Sequence, residues 1–333
     1  MNSKSMYQMI IVGAGPAGIA MAVEAIKSGI HADDILILEK EESHNYPVRK
    51  FYPEEKLVMA SYKGKAAECL GELCIRDMGK DELLSYFDEI IEDNHIRVKY
   101  HEQVKSIDNK IADQYFLVNT YNTSFLTKTV VMAIGIMGRP NKPKYPLASA
   151  LKNQIHYDLT THKIEKSDVL VVGGGDSASE YAQILAGRGN RVSLSYRQPE
   201  LIRMNERNKA QTLSMEKSGE MNLILGSNIE RVDERDGMAH VHFAEDSIEN
   251  REFDHIVYAI GGSSPRELME SIGITLSRDG VKVSDHFESD IEGLFVVGDI
   301  SAGKGGGSIN MAFNSSKLAL KEICYSYLDC NPE

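Results

Sequence analysis

The chain has 333 residues, enough for two domains of ordinary size, and 42% of them are hydrophobic against 26% charged. Its net charge of −12 disfavours binding to nucleic-acid phosphates or to anionic membrane surfaces. No apolar run approaches the roughly 18 residues that a membrane-spanning helix needs. The first apolar run starts at residue 9 and leaves no room for a cleavable targeting peptide, so we expect a cytoplasmic protein.

The chain opens with an apolar strand (MIIVG), a glycine-rich turn, a helix (GIAMAVEAIKSG) and a second strand (DILILEK). This order is typical of the βαβ unit of a dinucleotide-binding domain. The turn from Gly13 to Gly18 fits G-x-G-x-x-G, whose glycines permit a tight turn, close approach of a pyrophosphate and packing of helix on strand. Glu39 closes the second strand 21 residues after Gly18, where a carboxylate can accept hydrogen bonds from both ribose hydroxyls.

Alternating apolar and polar runs follow, among them IRVKYHEQVKSI, QYFLVNTY and SFLTKTV, and they predict a small antiparallel meander. The next apolar strand runs into the tripeptide AIG and then into a proline-rich linker, RPNKPKYP. From Val169 the βαβ pattern returns, and it again closes on a strand that runs into AIG. The repeat predicts a second dinucleotide-binding unit.

The second glycine-rich turn, from Gly173 to Ala178, fits the alanine variant of the same fingerprint. No acid stands at the end of its second strand, which carries Tyr196 and Arg197, with Arg203 shortly after. A carboxylate there would repel a 2′-phosphate, whereas guanidinium groups pair with one. We therefore interpret this turn as a site for NADP(H) rather than NAD(H); the alternative is that both arginines are solvated surface charges.

The last segment contains a strand that ends in Gly298-Asp299, a glycine-rich turn and a long helix from about Ser308 to Leu328. An aspartate so placed can hold a polyol hydroxyl, and the N–H groups that begin the helix can face an anion. Asp299 could also be a simple turn former.

The second βαβ unit is already closed before this segment, so the segment most economically completes the first domain. We expect an α/β fold of two Rossmann-like, dinucleotide-binding domains. Residues 1–140 and 264–333 would form one discontinuous domain, and residues 141–263 would form the second domain as an insertion.

Over nearly its whole length the sequence resembles the two-domain pyridine-nucleotide flavoprotein reductases of the thioredoxin-reductase type. The matching segments are VGAGPAG with Glu39, the two AIG segments, VGGGDSA with the following Tyr-Arg pair and Arg203, and GLFVVGDI with the terminal helix. The resemblance implies that the first domain binds FAD and the second binds NADPH. It also implies that the flavin carries out the chemistry, without a catalytic side chain or a metal.

Two sets of binding residues follow from these motifs and the resemblance. The expected FAD site comprises Gly13, Gly15, Pro16, Ala17, Gly18, Glu39, Lys40, Ala133, Gly135, Gly298, Asp299, Ser308 and Ile309. The expected NADPH site comprises Gly173, Gly175, Asp176, Ser177, Ala178, Tyr196, Arg197, Arg203, Ala259 and Gly261.

The positions of the cysteines distinguish the branches of this family. Thioredoxin reductases carry Cys-x-x-Cys shortly before the second glycine turn, where this chain reads HYDLTTHKIEKSD. Relatives that reduce bacillithiol disulfide carry a cysteine in the first turn, at the place of Ala17. A cytoplasmic chain argues against structural disulfides, so we expect Cys69 and Cys74 to be packed thiols and the pair at 324 and 330 to lie on different helix faces. A redox role for Cys69 and Cys74 is the alternative.

The sequence is most similar to the cysteine-free members, the ferredoxin or flavodoxin NADP reductases and the flavodoxin:quinone reductase group, through EKEESHNYPVRKFY, AIGIMGRPNKPKY, YRQPELIRMNE and YAIGGSSP. This resemblance implies transfer of hydride from NADPH to FAD, and of electrons on to flavodoxin, ferredoxin or a quinone, by a homodimer. A basic cluster could dock an acidic partner, or could be a solvated loop. It consists of Arg49, Lys50, Lys56, Lys63 and Lys65. The competing functions are a disulfide reductase that uses Cys69 and Cys74, and a flavin-binding redox sensor.

Overall fold

The computed structural model describes residues 6–62, 65–66, 68–111, 115–136, 140–160, 163–261, 266–276, 280–302 and 307–332. Lys63 of the basic cluster, most of the glycine-rich turn after Asp299 and parts of both AIG-to-proline connections lie outside the described residues. The chain divides into two compact units. Unit 1 comprises residues 1–49, 57–138 and 264–333, and unit 2 comprises residues 50–56 and 139–263.

Both units contain strands and helices. The strands are β1 (Met6–Val12), β2 (Ile35–Leu38), β3 (Leu57–Val58), β4 (Ser61–Tyr62), β5 (Lys65–Ala66), β6 (Met78–Gly79), β7 (Val98–Lys99), β8 (Val104–Ile111), β9 (Tyr115–Thr120), β10 (Ser124–Met132), β11 (Ile155–His156), β12 (Asp168–Val172), β13 (Arg191–Tyr196), β14 (Met221–Leu225), β15 (Ile229–Arg235), β16 (Met238–Phe243), β17 (Arg251–Phe253), β18 (His255–Tyr258) and β19 (Leu294–Val296). The helices are α1 (Pro16–Lys27), α2 (Tyr46–Phe51), α3 (Lys80–Asp93), α4 (Asp176–Gly187), α5 (Glu206–Ser218), α6 (Arg266–Ile272) and α7 (Ile309–Ser326). Short 3₁₀ turns span Ala32–Asp34, Ser149–Asn153 and Gly298–Ile300. Among the described residues, no helix has both the length and the apolar character needed to cross a membrane.

A seven-stranded sheet forms the centre of unit 1, in the order β7-β2-β1-β10-β9-β8, with β19 also paired to β10. β1 is parallel to both β2 and β10, and β19 is parallel to the carboxyl-terminal part of β10. The amino-terminal part of β10 pairs antiparallel with β9, which pairs antiparallel with β8. β10 therefore belongs both to the parallel dinucleotide-type sheet and to the expected meander.

The central strands of unit 1 are apolar on both faces because helices and loops cover both faces of a parallel sheet. Ile10 and Ile11 of β1 and their partners on β10, Val130 and Val131, are all fully buried. The sequence of β1 is consequently a near-continuous apolar run rather than an alternating one. The first glycine turn follows β1 and so lies at the carboxyl end of the parallel strands.

Helices α1 and α7 pack against each other beside this sheet. α1 starts with Pro16 as its first residue, a position at which proline loses no hydrogen bond. The Ser316 hydroxyl of α7 donates to the Ala17 carbonyl at 2.8 Å and is fully buried. The terminal helix is thus fixed to the beginning of α1, which carries the glycine turn.

Unit 2 contains a five-stranded parallel sheet in the order β11-β18-β12-β13-β14 and a three-stranded antiparallel sheet, β15-β16-β17. α4 leaves β12 through the second glycine turn, as α1 leaves β1 in unit 1. Its buried residues Ala178, Ala182 and Leu185 pack on the apolar residues of β12 and β13. The repeated βαβ pattern of the sequence thus appears as the same strand–turn–helix arrangement in both units.

Residues 50–56 group with unit 2, whereas we expected them in the first domain. The Lys56 ammonium pairs with the Glu180 carboxylate at 2.8 Å, and the Arg188 guanidinium forms three hydrogen bonds with the Glu55 carboxylate, at 3.0, 3.1 and 3.2 Å. These ion pairs join residues far apart in the sequence, so no local pattern predicts them.

The first glycine turn leads to a stability prediction. A Cβ at Gly18 would lie 2.0 Å from the Gly13 carbonyl oxygen, whereas a Cβ at Gly15 would meet nothing within 4 Å. We expect Gly18→Ala to lower the free energy of unfolding of unit 1 by about 1–3 kcal/mol, because the backbone must shift to relieve this overlap. Denaturant unfolding of the cofactor-free protein, followed by circular dichroism, measures the loss. Gly15→Ala is the matched control, and equal unfolding midpoints for the two variants would contradict the prediction.

Candidate cofactor sites

The first glycine turn is held between two strands by backbone hydrogen bonds. The Gly13 N–H donates to the Leu38 carbonyl at 2.8 Å, and the Ala133 N–H donates to the Val12 carbonyl at 2.8 Å. Gly13 has φ +107°, and a Cβ there would lie 2.6 Å from the Ala133 carbonyl oxygen. This close approach explains the glycine at position 13 and places Ala133, an expected FAD-site residue, against the turn.

Glu39 lies where the sequence predicts an acid, directly beside the turn. Its side chain is buried, and one carboxylate oxygen accepts a hydrogen bond from the Ala14 N–H at 2.8 Å. The other oxygen accepts from the Glu41 N–H at 3.0 Å. Lys40, which we expected in the FAD site, extends to the surface, where its ammonium lies 3.6 Å from the Glu41 carboxylate.

The Gly298-Asp299 pair lies against the start of α1. A Cβ at Gly298 would come 2.9 Å from the Cβ of Ala17, and the Gly298 N–H donates to the Ser315 hydroxyl at 2.9 Å. Burial raises the pKa of Asp299 to about 6. The aspartate that follows the last strand is therefore close to the first glycine turn, although the two segments lie at opposite ends of the sequence.

The amino terminus of α7 offers free backbone donors. The Ser308 hydroxyl caps the helix by accepting from the Met311 N–H at 3.3 Å. The N–H groups of Ile309 and Asn310 precede this capped position and have no intrahelical acceptor. The site thus combines the positive end of a helix dipole with hydrogen-bond donors, which suits an anionic group.

One buried acceptor at the first glycine turn has no hydrogen-bond partner among the described residues. It is the Asn45 Oδ1 atom, and Asn45 is only 1% exposed. The Asn45 N–H donates to the Ala14 carbonyl at 2.8 Å, which places this residue at the glycine turn. Buried polar atoms are rarely left unpaired, so a free acceptor here fits a ligand with hydroxyl or N–H donors, as FAD has in its ribityl chain and ring.

Asn45 is a residue that the sequence analysis did not select. Its φ of +49° is in the left-handed region, which asparagine tolerates better than most residues. The sequence gives one weak signal, an asparagine followed by a tyrosine and a proline in a loop. Its burial and its contact with the glycine turn depend on the folded structure.

The second glycine turn repeats the geometry of the first. The Gly173 N–H donates to the Ser195 carbonyl at 3.0 Å, and a Cβ at Gly173 would lie 2.3 Å from the Ala259 carbonyl oxygen. In the first turn, the Gly13 N–H donates to the Leu38 carbonyl in the same way, so Ser195 and Leu38 are equivalent positions. The residues that follow them, Tyr196 and Glu39, are therefore equivalent as well. Position 175 is open, because a Cβ there would meet nothing within 4 Å.

Several expected NADPH-site residues have structural contacts of their own. The ring of Tyr196 covers Gly174 so closely that a Cβ there would lie 2.1 Å from a ring carbon. The Asp176 carboxylate accepts from the Asn205 N–H at 2.8 Å and from the Asn208 side-chain amide at 3.0 Å. Ala178 is fully buried in the core.

Arg197 and Arg203 are exposed, and neither forms an ion pair with any residue that the structure describes. Arg203 lies beside the turn, because its backbone pairs with that of Gly175. Gly261 has φ +83°, and its carbonyl accepts from the Asn141 N–H at 2.8 Å. The two arginines are thus available to an anion near the second turn.

The cysteines contradict our expectation. Cys69 is joined to Cys74, and Cys324 to Cys330, so both pairs form disulfides. The expectation of separate helix faces was wrong because α7 ends at Ser326 and the chain turns back, which brings the Cα of Cys330 to 4.7 Å from that of Cys324. The first pair lies in a short loop whose closure the sequence does not reveal.

Comparisons with known proteins agree with this arrangement. The family described as pyridine nucleotide-disulphide oxidoreductase matches residues 10–298. A ferredoxin–NADP reductase of Ignicoccus hospitalis is 26% identical over 89% of this chain and 90% of the relative, and the bacilliredoxin reductase Bdr of Bacillus subtilis is 26% identical over 93% and 95%.

Solved structures show the same fold. The bacillithiol disulfide reductase Bdr (YpdA) of Bacillus cereus superposes with a TM-score of 0.81 at 20% identity, over 96% of this chain and 99% of that one. A thioredoxin reductase of Lactococcus lactis in its FR conformation gives 0.76 at 23% identity, over 95% and 97%. The chain therefore belongs to the pyridine nucleotide-disulphide oxidoreductase family and is a flavoprotein reductase that uses FAD and NADPH.

Proposed function

We propose that this reductase passes electrons from NADPH through FAD to flavodoxin or ferredoxin, with a quinone as a further acceptor. The observation that carries the proposal is the segment before the second glycine turn, residues 155–172, which contains no cysteine. A thioredoxin-type enzyme needs its dithiol there. Several relatives of similar length, including those of Ignicoccus hospitalis and Enterococcus faecalis, are named ferredoxin–NADP reductases.

When bound, FAD supplies the redox chemistry, and the residues of unit 1 bind and orient it. Gly13, Gly15 and Gly18 leave room for the pyrophosphate at the start of α1. Glu39 is anchored by the Ala14 N–H and would accept hydrogen bonds from the adenosine ribose.

The other end of the flavin cofactor would meet the last segment of the chain. Asp299 would accept from a ribityl hydroxyl, and the buried Asn45 Oδ1 atom, which has no partner among the described residues, would accept from another donor of the cofactor. The N–H groups of Ile309 and Asn310 would stabilise negative charge on the reduced ring, because preorganised donors stabilise a developing anion without reorganisation.

The second turn would hold the pyrophosphate of NADPH at Gly175 and at the start of α4, with Ser177 beside it. Arg197 and Arg203 would pair with the 2′-phosphate, which distinguishes NADPH from NADH. Tyr196 contributes by filling the space over Gly174, and Ala259 by fixing Gly173.

The protein acceptor would meet an exposed surface of an enzyme that we expect to be a homodimer. The basic cluster is a smaller candidate surface than the sequence suggests. Lys56 is paired with Glu180, and Arg49 with Asp88 at 2.9 Å. Lys50 remains exposed. Recognition of an acidic acceptor therefore has to draw on other cations as well.

A second candidate function is reduction of a disulfide substrate through Cys69 and Cys74, which the disulfide between them favours. The bacilliredoxin reductase of Bacillus subtilis is a relative of matching length. The first glycine turn of this chain has Ala17, which carries no thiol, at the place where relatives that reduce bacillithiol disulfide have a cysteine. A disulfide reductase activity would therefore have to use Cys69 and Cys74.

The two arginines lead to a prediction about cofactor selectivity. Arg197→Ala with Arg203→Ala should lower kcat/KM for NADPH by about 10- to 100-fold and leave that for NADH within about twofold, because only NADPH carries the 2′-phosphate. Steady-state kinetics with both nucleotides measure the ratio. Arg191→Ala is the control, since Arg191 lies at the opposite end of β13 and its side chain is 84% exposed. A parallel loss with NADH would show that the arginines have a structural role only.

Asp299 leads to a prediction about pH. Its pKa is raised from an ordinary 3.8 to about 6 in the folded protein, so folding favours the protonated form. Its stabilising contribution is therefore complete below about pH 4 and is lost as the pH rises through about 6. We expect Asp299→Asn to stabilise the cofactor-free protein above pH 6 by on the order of 3 kcal/mol and to have little effect below pH 4. Thermal unfolding between pH 4 and 8 checks this, and a stability difference that does not change with pH would contradict it.

Anaerobic stopped-flow kinetics test the proposed electron path. We expect NADPH to bleach the flavin absorbance rapidly and oxidised flavodoxin to restore it, at equal rates in the native chain and in a form with all four cysteines changed to serine. Cystine-containing substrates serve as the comparison acceptor. Loss of reoxidation in the serine form, or turnover with a disulfide but not with flavodoxin, would assign the function to Cys69 and Cys74.

A further inference from the structure

We propose that the Cys69–Cys74 disulfide and the cavity beside it form a thiol–disulfide exchange site for a small thiol that carries both an ammonium and a carboxylate group. The residues that line this cavity include none of those proposed to hold FAD. The inference rests on the proposed function, in which the flavin reduces an external acceptor and not this disulfide.

The two disulfides of the chain differ in accessibility. Cys74 is exposed and Cys69 is partly buried, so Cys74 is the more accessible of the two to an incoming thiolate. In the second disulfide Cys324 is only 4% exposed and Cys330 is partly buried. Exchange depends on access to the attacked sulfur, so the first disulfide should react faster than the second.

The loop that carries Cys69 and Cys74 is held in place without the disulfide. Asn314 on α7 accepts from the Leu70 N–H at 2.9 Å and donates to the Glu68 carbonyl at 2.6 Å. One turn earlier, Asn310 accepts from the Ile75 N–H and donates to the Ile75 carbonyl, both at 2.9 Å. Two side-chain amides thus fix the backbone on either side of the cysteine pair.

A buried ion pair fixes the middle of the same loop. The Glu24 carboxylate accepts from the Glu72 N–H at 2.6 Å and pairs with the Lys317 ammonium at 3.2 Å. Both charged side chains are almost completely buried. With its ends and its middle held, the loop keeps the two sulfurs close after reduction, and the disulfide can form again.

A cavity of about 730 Å³ adjoins Cys74. One wall is the chain from Cys74 to Met78, and the other is a single face of α3 that carries Glu82, Ser85, Tyr86 and Glu89. These four residues recur at helical spacing, so their side chains point the same way. The cavity therefore lies directly against Cys74.

The charges of the cavity define its ligand. Arg76 pairs with Glu82 at 3.1 Å and still has free N–H donors, since a guanidinium has five. Glu89 has no ion-pair or hydrogen-bond partner among the described residues. A carboxylate can bind Arg76 and an ammonium can bind Glu89, which is the pairing that an amino-acid-like thiol requires.

The exchange balances in two steps. A thiolate attacks the Cys74 sulfur, the bond between Cys74 and Cys69 breaks, and its electron pair leaves on Cys69, which takes a proton. A second thiolate attacks the sulfur of the bound thiol, releases a small disulfide and leaves Cys74 as a thiol. Two thiols are oxidised to one disulfide, and the protein disulfide is reduced to two thiols. The small disulfide of the same class drives the reverse reaction.

Glutathione, which carries both charged groups, is the probe for the test. The complete FAD-loaded protein is incubated with glutathione, quenched with N-ethylmaleimide and mapped by mass spectrometry. We expect Cys69 and Cys74 to become labelled at least about tenfold faster than Cys324 and Cys330, and glutathione disulfide, added before the quench, to restore the disulfide and prevent the labelling. Equal rates for the two pairs would overturn the proposal. Labelling of Cys69 and Cys74 with NADPH alone would also overturn it, because the flavin would then be their reductant.

Two variants test the cavity itself. Glu89→Gln and Arg76→Gln should each slow exchange with glutathione by about three- to fivefold, and should leave exchange with the uncharged 2-mercaptoethanol unchanged. Glu92→Gln is the control, since Glu92 is exposed on the same helix but does not line the cavity. Equal rates in all variants, or equal slowing with both thiols, would show that the loop is merely exposed.

Discussion

The close contact between Gly13 and Gly18 determines the geometry of unit 1. Their backbones approach so closely that a Cβ on Gly18 would lie 2.0 Å from the Gly13 carbonyl oxygen. Only glycine permits this contact, and the contact sets the direction in which α1 leaves β1. The first turn of α1 then contacts Gly298 and receives a hydrogen bond from Ser316. One local steric condition thus positions the end of β19, Asp299 and α7.

Helix α7 serves two parts of unit 1 at once. Its first turn presents free N–H groups beside Asp299, and a face further along holds the loop of Cys69 and Cys74. That face consists of Asn310, Asn314 and Lys317, which recur at helical spacing. A buried ion pair such as Glu24 with Lys317 repays its desolvation cost only with additional hydrogen bonds, and the Glu72 N–H supplies one. The position of the cysteine loop therefore depends on α7, and the buried charge of Lys317 on α7 depends on the ion pair that the loop helps to stabilise.

The sequence predicts those features of the fold and of the sites that depend only on residues close together in the sequence. The two glycine turns, the strand that leads to Glu39 and the aspartate after the last strand are all short-range patterns with a single steric or electrostatic reason. The fold class and a dinucleotide site in each domain follow from them, whereas FAD follows from the family resemblance. The assignment of residues 50–56 and the burial of Asn45 depend on partners far away in the sequence. Both disulfides were missed because a cytoplasmic location was weighted above the spacing of the cysteines, which alone cannot show where the chain turns back.

The two glycine turns share one backbone geometry and differ at one pair of equivalent positions. Gly13 and Gly173 bond to the same place on the adjacent strand, so Glu39 and Tyr196 correspond. The Glu39 carboxylate is tied to the Ala14 N–H. The Tyr196 ring instead fills the space over Gly174, which therefore has to be glycine. With the ring in that space, no carboxylate can occupy it, and the repulsion that would exclude a 2′-phosphate is removed. In the function proposed above, the unpaired charges of Arg197 and Arg203 would then set the preference of the second turn for NADPH.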